Sequence, residues 1–344
     1  MIAKLLAPTL LSISMAGAAV ADITYTKLSF DDLMGWDDDD HQAALRVFLE
    51  TCPDIDRPEW QRLCALALER PNAKDFFELF FQPVEITDGT PTLFTGYFEP
   101  EIAGSLEPTD QYRFPIYKRP ADLVSGRRYS TRRAIEEQGL LANKGLEIAW
   151  LEDPVDRFFL QVQGSGRIRL PDGDVIRVGF AGKNGHQYTS VGQTLVARGA
   201  LEAHQISASA IRNWVRRNPE EGRELLWVND SYVFFREVNE VPPERGPLGA
   251  MNRSITTMRS IAVDPTVNLL GAPIWVEKDG KNPIQKLMIA QDTGSAIKGA
   301  QRADIFYGTG LAAGLEAGRI KDSGRMVMLM PIEYALSKLD PSDT

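Results

Sequence analysis

Apolar positions in the first part of the chain recur with helical spacing. Leu45, Phe48 and Leu49 share one face of a helix that Pro53 ends, and Pro58 opens a second helix carrying Trp60, Leu63 and Cys64. Asn72 is placed to cap a third, whose apolar face is Phe76, Phe77, Phe80 and Phe81. The acidic run Asp37 to Asp40 supplies carboxylates to a helix start; it lacks the Gly and distal Glu of a calcium loop. After Val84 the pattern changes to short β-type runs broken by Gly and Pro: Thr92 to Phe98, Phe158 to Val162, Val175 to Gly179, Tyr232 to Phe235, Ile274 to Glu277, Leu287 to Gln291 and Met326 to Met330. Helices are expected near Ser130 to Gln138 with Gly139 as the stop, near Gly192 to Leu201, and over Ser209 to Leu226. Strand and helix alternate too irregularly for a doubly wound sheet. The pattern fits a mainly β protein, a barrel with an inserted second β domain behind an N-terminal helical segment.

One further apolar run changes the picture. Lys4 precedes an uncharged stretch from Leu5 to Val20 that closes on Ala19-Val20-Ala21, which reads as a secretory signal peptide, cleaved before Asp22. No Cys stands near that point to carry a lipid, and no later segment has the ~20 apolar residues of a membrane span. An exported chain can oxidise its thiols, so Cys52 and Cys64, on adjacent predicted helices, either bridge the pair or remain two buried thiols.

Composition narrows the function. The 344 residues carry 38 Lys and Arg against 47 Asp and Glu, a net charge of −9, which argues against a nucleic-acid binder. His41, His186 and His204 form no zinc motif, there is no Gly-x-Ser-x-Gly elbow, and the glycines around Gln163 to Gly166 and Gly308 to Gly310 lack the nucleotide-loop pattern. Neither metal nor organic cofactor is expected. What remains are carboxylates among Gly, aromatic and amide side chains, the equipment of a carbohydrate groove. Asp264, Asp292 and Asp304 each end a short apolar run beside a turn, either as turn aspartates bonding their own backbone or as groups presented to a cleft. Ile305, Phe306 and Tyr307 follow Asp304, and apolar surroundings raise a carboxyl's pKa.

Several longer motifs carry a resemblance. Thr95-Gly-Tyr-Phe-Glu-Pro100, Tyr117-Lys-Arg-Pro120, Phe159 to Arg167, Gly179 to Gly185, Tyr232-Val-Phe-Phe235, Gly246-Pro-Leu-Gly249 and the three-aspartate region, in order between about Trp36 and Pro331, resemble the membrane-bound lytic murein transglycosylase A family. The resemblance implies a double-psi β-barrel divided by an inserted β domain. Its expected bounds are 1–21 for the leader, 22–108 for the helices and first barrel part, 109–232 for the insert, and 233–344 for the second barrel part with the three-aspartate region. It implies Asp304 as catalytic residue, Asp292 and Asp264 as supporting or positioning groups, and Thr95, Gly96, Tyr97, Gln163, Ser165 and Gly166 as substrate-binding positions. Ser295 departs from the family's usual Gly.

The implied reaction cleaves the MurNAc-β-1,4-GlcNAc bond of peptidoglycan glycan strands in the periplasm, forming 1,6-anhydroMurNAc without water. A non-catalytic peptidoglycan-binding protein and a water-using muramidase are the rival readings. The basic span Arg113 to Arg133 would either meet carboxylates of the peptide stems or serve as a solvated surface.

Overall fold

The computed structural model describes residues 23–339; the expected leader, 1–21, lies outside them. In chain order the elements are β1 (Thr24–Lys27), α1 (His41–Thr51), α2 (Pro58–Leu68), α3 (Ala73–Phe80), β2 (Phe81–Thr87), β3 (Leu93–Glu99), β4 (Glu101–Ser105), β5 (Phe114–Tyr117), α4 (Arg132–Glu136), β6 (Glu147–Leu151), α5 (Pro154–Gln163), β7 (Ser165–Arg169) and β8 (Val175–Lys183). There follow α6 (Val191–Ala197), α7 (Ala208–Arg217), α8 (Pro219–Trp227), β9 (Val233–Glu237), β10 (Ser260–Val263), β11 (Pro273–Lys278), β12 (Ile284–Thr293), β13 (Arg302–Thr309), α9 (Gly310–Ala317), β14 (Lys321–Asp322), β15 (Gly324–Pro331) and α10 (Ile332–Leu336).

The helical lead-in is built from its caps and its rings. Asp40 caps α1 by accepting from the Ala43 amide at 2.9 Å, and Asn72 caps α3 through the Lys74 and Asp75 amides. Asp39, in the same acidic run, has a different job: it is buried and bonds Arg259 at 2.7 and 2.8 Å, tying the lead-in to the sheet behind it. Phe48, Trp60, Phe76, Phe77 and Phe81 pack mutually with centroids 5.4 to 6.3 Å apart. Cys52 is joined to Cys64, with Cα atoms 5.6 Å apart, stapling α1 to α2.

Two mixed sheets follow. The larger runs β1-β2-β15-β11-β12-β10-β13-β3-β14, drawing strands from both ends of the chain, and the smaller runs β5-β6-β4-β7-β8-β9. No ladder between β1 and β14 closes the larger sheet among the described residues. The smaller sheet takes in residues 101–105 and 233–237, outside the expected 109–232, because β4 pairs with β6 and β7, and β9 with β8.

Two expected elements differ. Phe158 to Val162 is helix, within α5: Asp153 caps it through the Val155 amide, Pro154 starts it, and Val155, Phe158 and Phe159 turn one face to Val191, Leu195 and Ile211. The helix expected over Ser209 to Leu226 is two, broken at Asn218 because Pro219 has no amide hydrogen to continue the first and suits the start of the second.

The chain passes between the sheets at Pro100, where β3 runs almost directly into β4. Glu99, fully buried at that crossing, pairs with Arg167 of β7 at 3.0 Å and Arg177 of β8 at 2.8 Å, and accepts from Thr309 of β13 at 2.8 Å. Both arginines also donate to the carbonyls of Pro243 and Arg245 on the returning connection. One carboxylate thus binds both sheets together, its burial compensated by paired charge.

Candidate active site

Strand alternation selects the side chains that meet. On β13, Ala303 and Ile305 point into the core, which leaves Asp304 and Phe306 on the opposite face. The parallel register with β3 sets Asp304 against Thr95 and Phe306 against Tyr97. On the other side of β13, Ala262 of β10 lies opposite Asp304. Ala262 is also the partner of Asp292 on β12. A bulge makes this so: Ile261 pairs with Ala290 and Ala262 with Asp292, passing over Gln291. Two carboxyl-bearing residues therefore flank one small side chain across three neighbouring strands.

Their hydrogen bonds differ. Asp292 is saturated: Oδ1 accepts from the amides of Ala250 at 3.0 Å and Thr293 at 2.9 Å, and Oδ2 from the Tyr97 hydroxyl at 3.0 Å. Asp304 accepts from Thr95 at Oδ1, 2.7 Å, and its Oδ2 receives no hydrogen bond from the described residues. Desolvation pushes the Asp304 carboxyl up to about 6, against the Thr95 hydrogen bond and the Arg302 charge. Desolvation also pushes Asp292 up to about 6, against its three donors, with the Asp304 charge adding to the rise. Burial and Asp292 hold the Tyr97 phenol well above its usual range, so it stays a donor. Three donors favour the ionised form of Asp292. Asp304, with an unclaimed oxygen, is the member able to carry and pass on a proton.

The remaining expected positions divide. Asp264 does not join the pair: its Oδ1 accepts from Thr266 and Lys298, and its Oδ2 from the Gly299 amide at 3.1 Å. Burial works to raise its pKa, but these bonds outweigh it and hold the carboxyl below its usual range. Gln163, at the end of α5, accepts from the Phe98 amide at 3.1 Å and so fixes the second sheet's helix to the strand bearing Thr95 and Tyr97. Ser165 begins β7, half-buried, opposite Gly179. Gly96 and Gly166 are packing positions. A Cβ on Gly96 would stand 2.8 Å from Cα of Ala317 in α9, and one on Gly166, which is buried, would collide with Leu160.

Three residues of this site escape motif reading. Arg302 donates to the Thr95 hydroxyl at 2.8 Å, Ala262 spaces the two carboxyls, and the ring of Phe306 lies 5.3 Å from that of Tyr97. Arg302 and Phe306 were findable by counting two residues either way from Asp304 along a strand. Among the described residues, no cluster of His, Cys, Asp or Glu could hold a metal ion, and no helix is long and apolar enough to cross a membrane.

A carboxyl pair poised near neutral pH, one member free to exchange a proton and the other held by donors, defines a general acid–base site suited to glycosidic bonds. The MltA specific insert domain matches residues 93–236, and the 3D domain matches residues 259–330. The chain belongs to the membrane-bound lytic murein transglycosylase A family. It is 34% identical over 286 residues to the membrane-bound lytic murein transglycosylase A of Vibrio cholerae, covering 79% of this chain and 75% of that one. The crystal structure of membrane-bound lytic murein transglycosylase from Agrobacterium tumefaciens superposes with a TM-score of 0.81 at 33% identity, covering 92% of this chain and 100% of the other. Escherichia coli MltA with bound chitohexaose gives a TM-score of 0.73 at 27% identity, covering 89% and 94%.

Proposed function

We propose that this protein is a lytic transglycosylase of peptidoglycan, cleaving the bond between MurNAc and GlcNAc with Asp304 as acid and then base. The observation that carries the assignment is the unequal bonding of the carboxyl pair, with Asp292 saturated and Asp304 open at one oxygen. Protonated Asp304 gives its proton to the leaving O4 of GlcNAc as the C1–O4 bond breaks. The resulting carboxylate takes the proton of the muramoyl C6 hydroxyl while O6 bonds to C1. The acid is regenerated and no water is consumed. Ionised Asp292, across Ala262, supplies negative charge beside the oxocarbenium-like transition state. Asp264 is left a supporting part, holding the 298–299 turn.

The larger sheet, built from chain on both sides of the second sheet, is read as the family's double-psi barrel, and 101–237 as its insert. Thr95, Tyr97, Gln163 and Ser165 line the groove between the two, and Gly96 and Gly166 shape its walls from behind. Chitohexaose in the Escherichia coli relative supports a β-1,4-linked glycan as ligand. The leader-like N-terminus and the Cys52–Cys64 pair support work in the periplasm, at the wall.

Mass spectrometry of the products from purified sacculi tests the reading. Muropeptides ending in 1,6-anhydroMurNAc are expected. Products heavier by one water would make the protein a muramidase, and binding without cleavage would make it a wall-binding protein.

A further inference from the structure

A cavity of about 770 Å³ lies within the second sheet's domain, away from Asp292 and Asp304, between β5, β6 and helices α4, α5 and α8. Phe114, Tyr117, Trp150 and Trp227 give it aromatic walls. Most charged groups on its lining are already paired: Glu136 with Arg132 at 2.9 Å and Arg157 at 2.8 Å, Glu137 and Glu224 with Arg133 at 2.6 and 3.1 Å, and Glu220 with Arg223. Arg113 and Glu147 are the exceptions among the described residues, for neither side chain has an ion-pair partner, although Glu147 Oε1 accepts from the Asn143 amide at 3.2 Å. They stand at opposite ends of β5: Arg113 precedes the strand, and Glu147 is the register partner of Tyr117 at its end. Four strand residues separate them, ~13 Å at ~3.3 Å per residue. Aromatic walls with one unpaired cation and one unpaired anion fit a short extended peptide bearing a carboxylate at one end and an ammonium at the other.

Helix α5 connects this cavity to strand β3, which carries Thr95 and Tyr97. Pro154 and Arg157 line the cavity at its start, and Gln163 at its end holds the strand of Thr95 and Tyr97. Six residues of helix, ~9 Å, lie between Arg157 at the cavity and Gln163 at strand β3. We propose that the cavity is a second binding site, taking the zwitterionic peptide stem carried by the same glycan whose backbone lies at Asp304. The inference rests on the reading of the substrate as peptidoglycan.

Soluble glycan chains with intact tetrapeptide stems, and the same chains stripped of peptide by an amidase, separate the two ideas. For peptide-bearing chains, Arg113→Ala and Glu147→Gln should each raise KM about threefold to tenfold and leave kcat unchanged. Turnover of stripped chains by both variants should equal wild type, which also shows that they fold. An unchanged KM on peptide-bearing chains, or an equal loss on both substrates, overturns the second site. If the wild-type protein cleaves neither substrate, the transglycosylase reading falls, and calorimetric titration with the free tetrapeptide decides the cavity alone. Binding that weakens in both variants upholds it, and no binding overturns it.

Discussion

Thr95 stands between a cation and an acid: its hydroxyl donates to Asp304 at 2.7 Å and accepts from Arg302 at 2.8 Å. The arginine thereby fixes the direction of the hydroxyl hydrogen, and Asp304 Oδ1 is committed to accepting it. Any proton that Asp304 carries is directed to Oδ2, the oxygen with no donor among the described residues.

Asp304→Asn should lower turnover of peptidoglycan at least a hundredfold while glycan binding persists, since the amide is nearly isosteric and general acid–base catalysis is worth ~10²–10⁴-fold. Asp292→Asn, which keeps an acceptor for Tyr97, should cost less. Release of anhydromuropeptides by the two variants, with binding to sacculi measured in parallel, checks both. Retention of more than about a hundredth of wild-type turnover by Asp304→Asn would remove it from the acid–base role.

Activity should pass through a maximum near pH 6. Asp304 must begin protonated and Asp292 ionised, and both carboxyls lie at about 6, so kcat/KM falls on either side, approaching tenfold per pH unit. Thr95→Val removes a hydrogen bond that lowers the Asp304 pKa and should move the alkaline limb upward. Initial rates between pH 4.5 and 8.5 provide the comparison; a wild-type profile still climbing at pH 8 contradicts the protonation scheme.

The same burial sets a stability trend of known sign. Asp304 has an ordinary value of 3.8 and a folded value of about 6, so the folded chain holds this proton more tightly and loses that advantage as pH rises from about 4 through 6. Asp304→Asn should therefore melt a few degrees higher than wild type at pH 7.5, a gain on the order of 1–3 kcal/mol, and the difference should vanish at pH 4. Calorimetry at the two pH values decides it: an equal melting temperature at pH 7.5 would mean the ionised carboxyl is better solvated than its surroundings suggest.

Gly166→Val should disrupt folding before it disrupts catalysis. Its side chain would enter space held by Leu160, and overpacking of this kind costs about 1–3 kcal/mol. Thermal melting should fall while activity per folded molecule holds. A full melting temperature with lost activity would instead return Gly166 to the groove.

Legibility in the sequence followed the periodicity. The caps at Asp40 and Asn72, the breaks at Pro53 and Pro58, and the strand that carries Asp292 next to its end stand out because spacing and turn chemistry agree, whereas Asp304, expected at the end of a run beside a turn, is the third residue of a strand that continues to Thr309. Phe158 to Val162 misleads because Phe-Phe-Leu-Gln-Val satisfies an alternating and a helical pattern alike; Asp153 and Pro154 settle it for the helix. The three aspartates look equivalent as turn residues, and only cross-strand register separates the pair beside Ala262 from Asp264. The Glu99 cluster was invisible because its partners lie 68 and 78 residues away.

The bulge at Gln291 makes the position of Asp292 a matter of parity. In an unbroken ladder Gln291 would be the residue facing Ala262, and Asp292 would turn to the opposite side of the sheet. Gain of one residue between Ile284 and Gln291 would therefore exchange a carboxylate for an amide at the reacting face without altering either residue, and loss of one would bring Thr293 there. No single substitution elsewhere in the strand could compensate. A family variant that lengthens or shortens β12 must do so by two residues, or relocate the irregularity, to keep both carboxyls on one side.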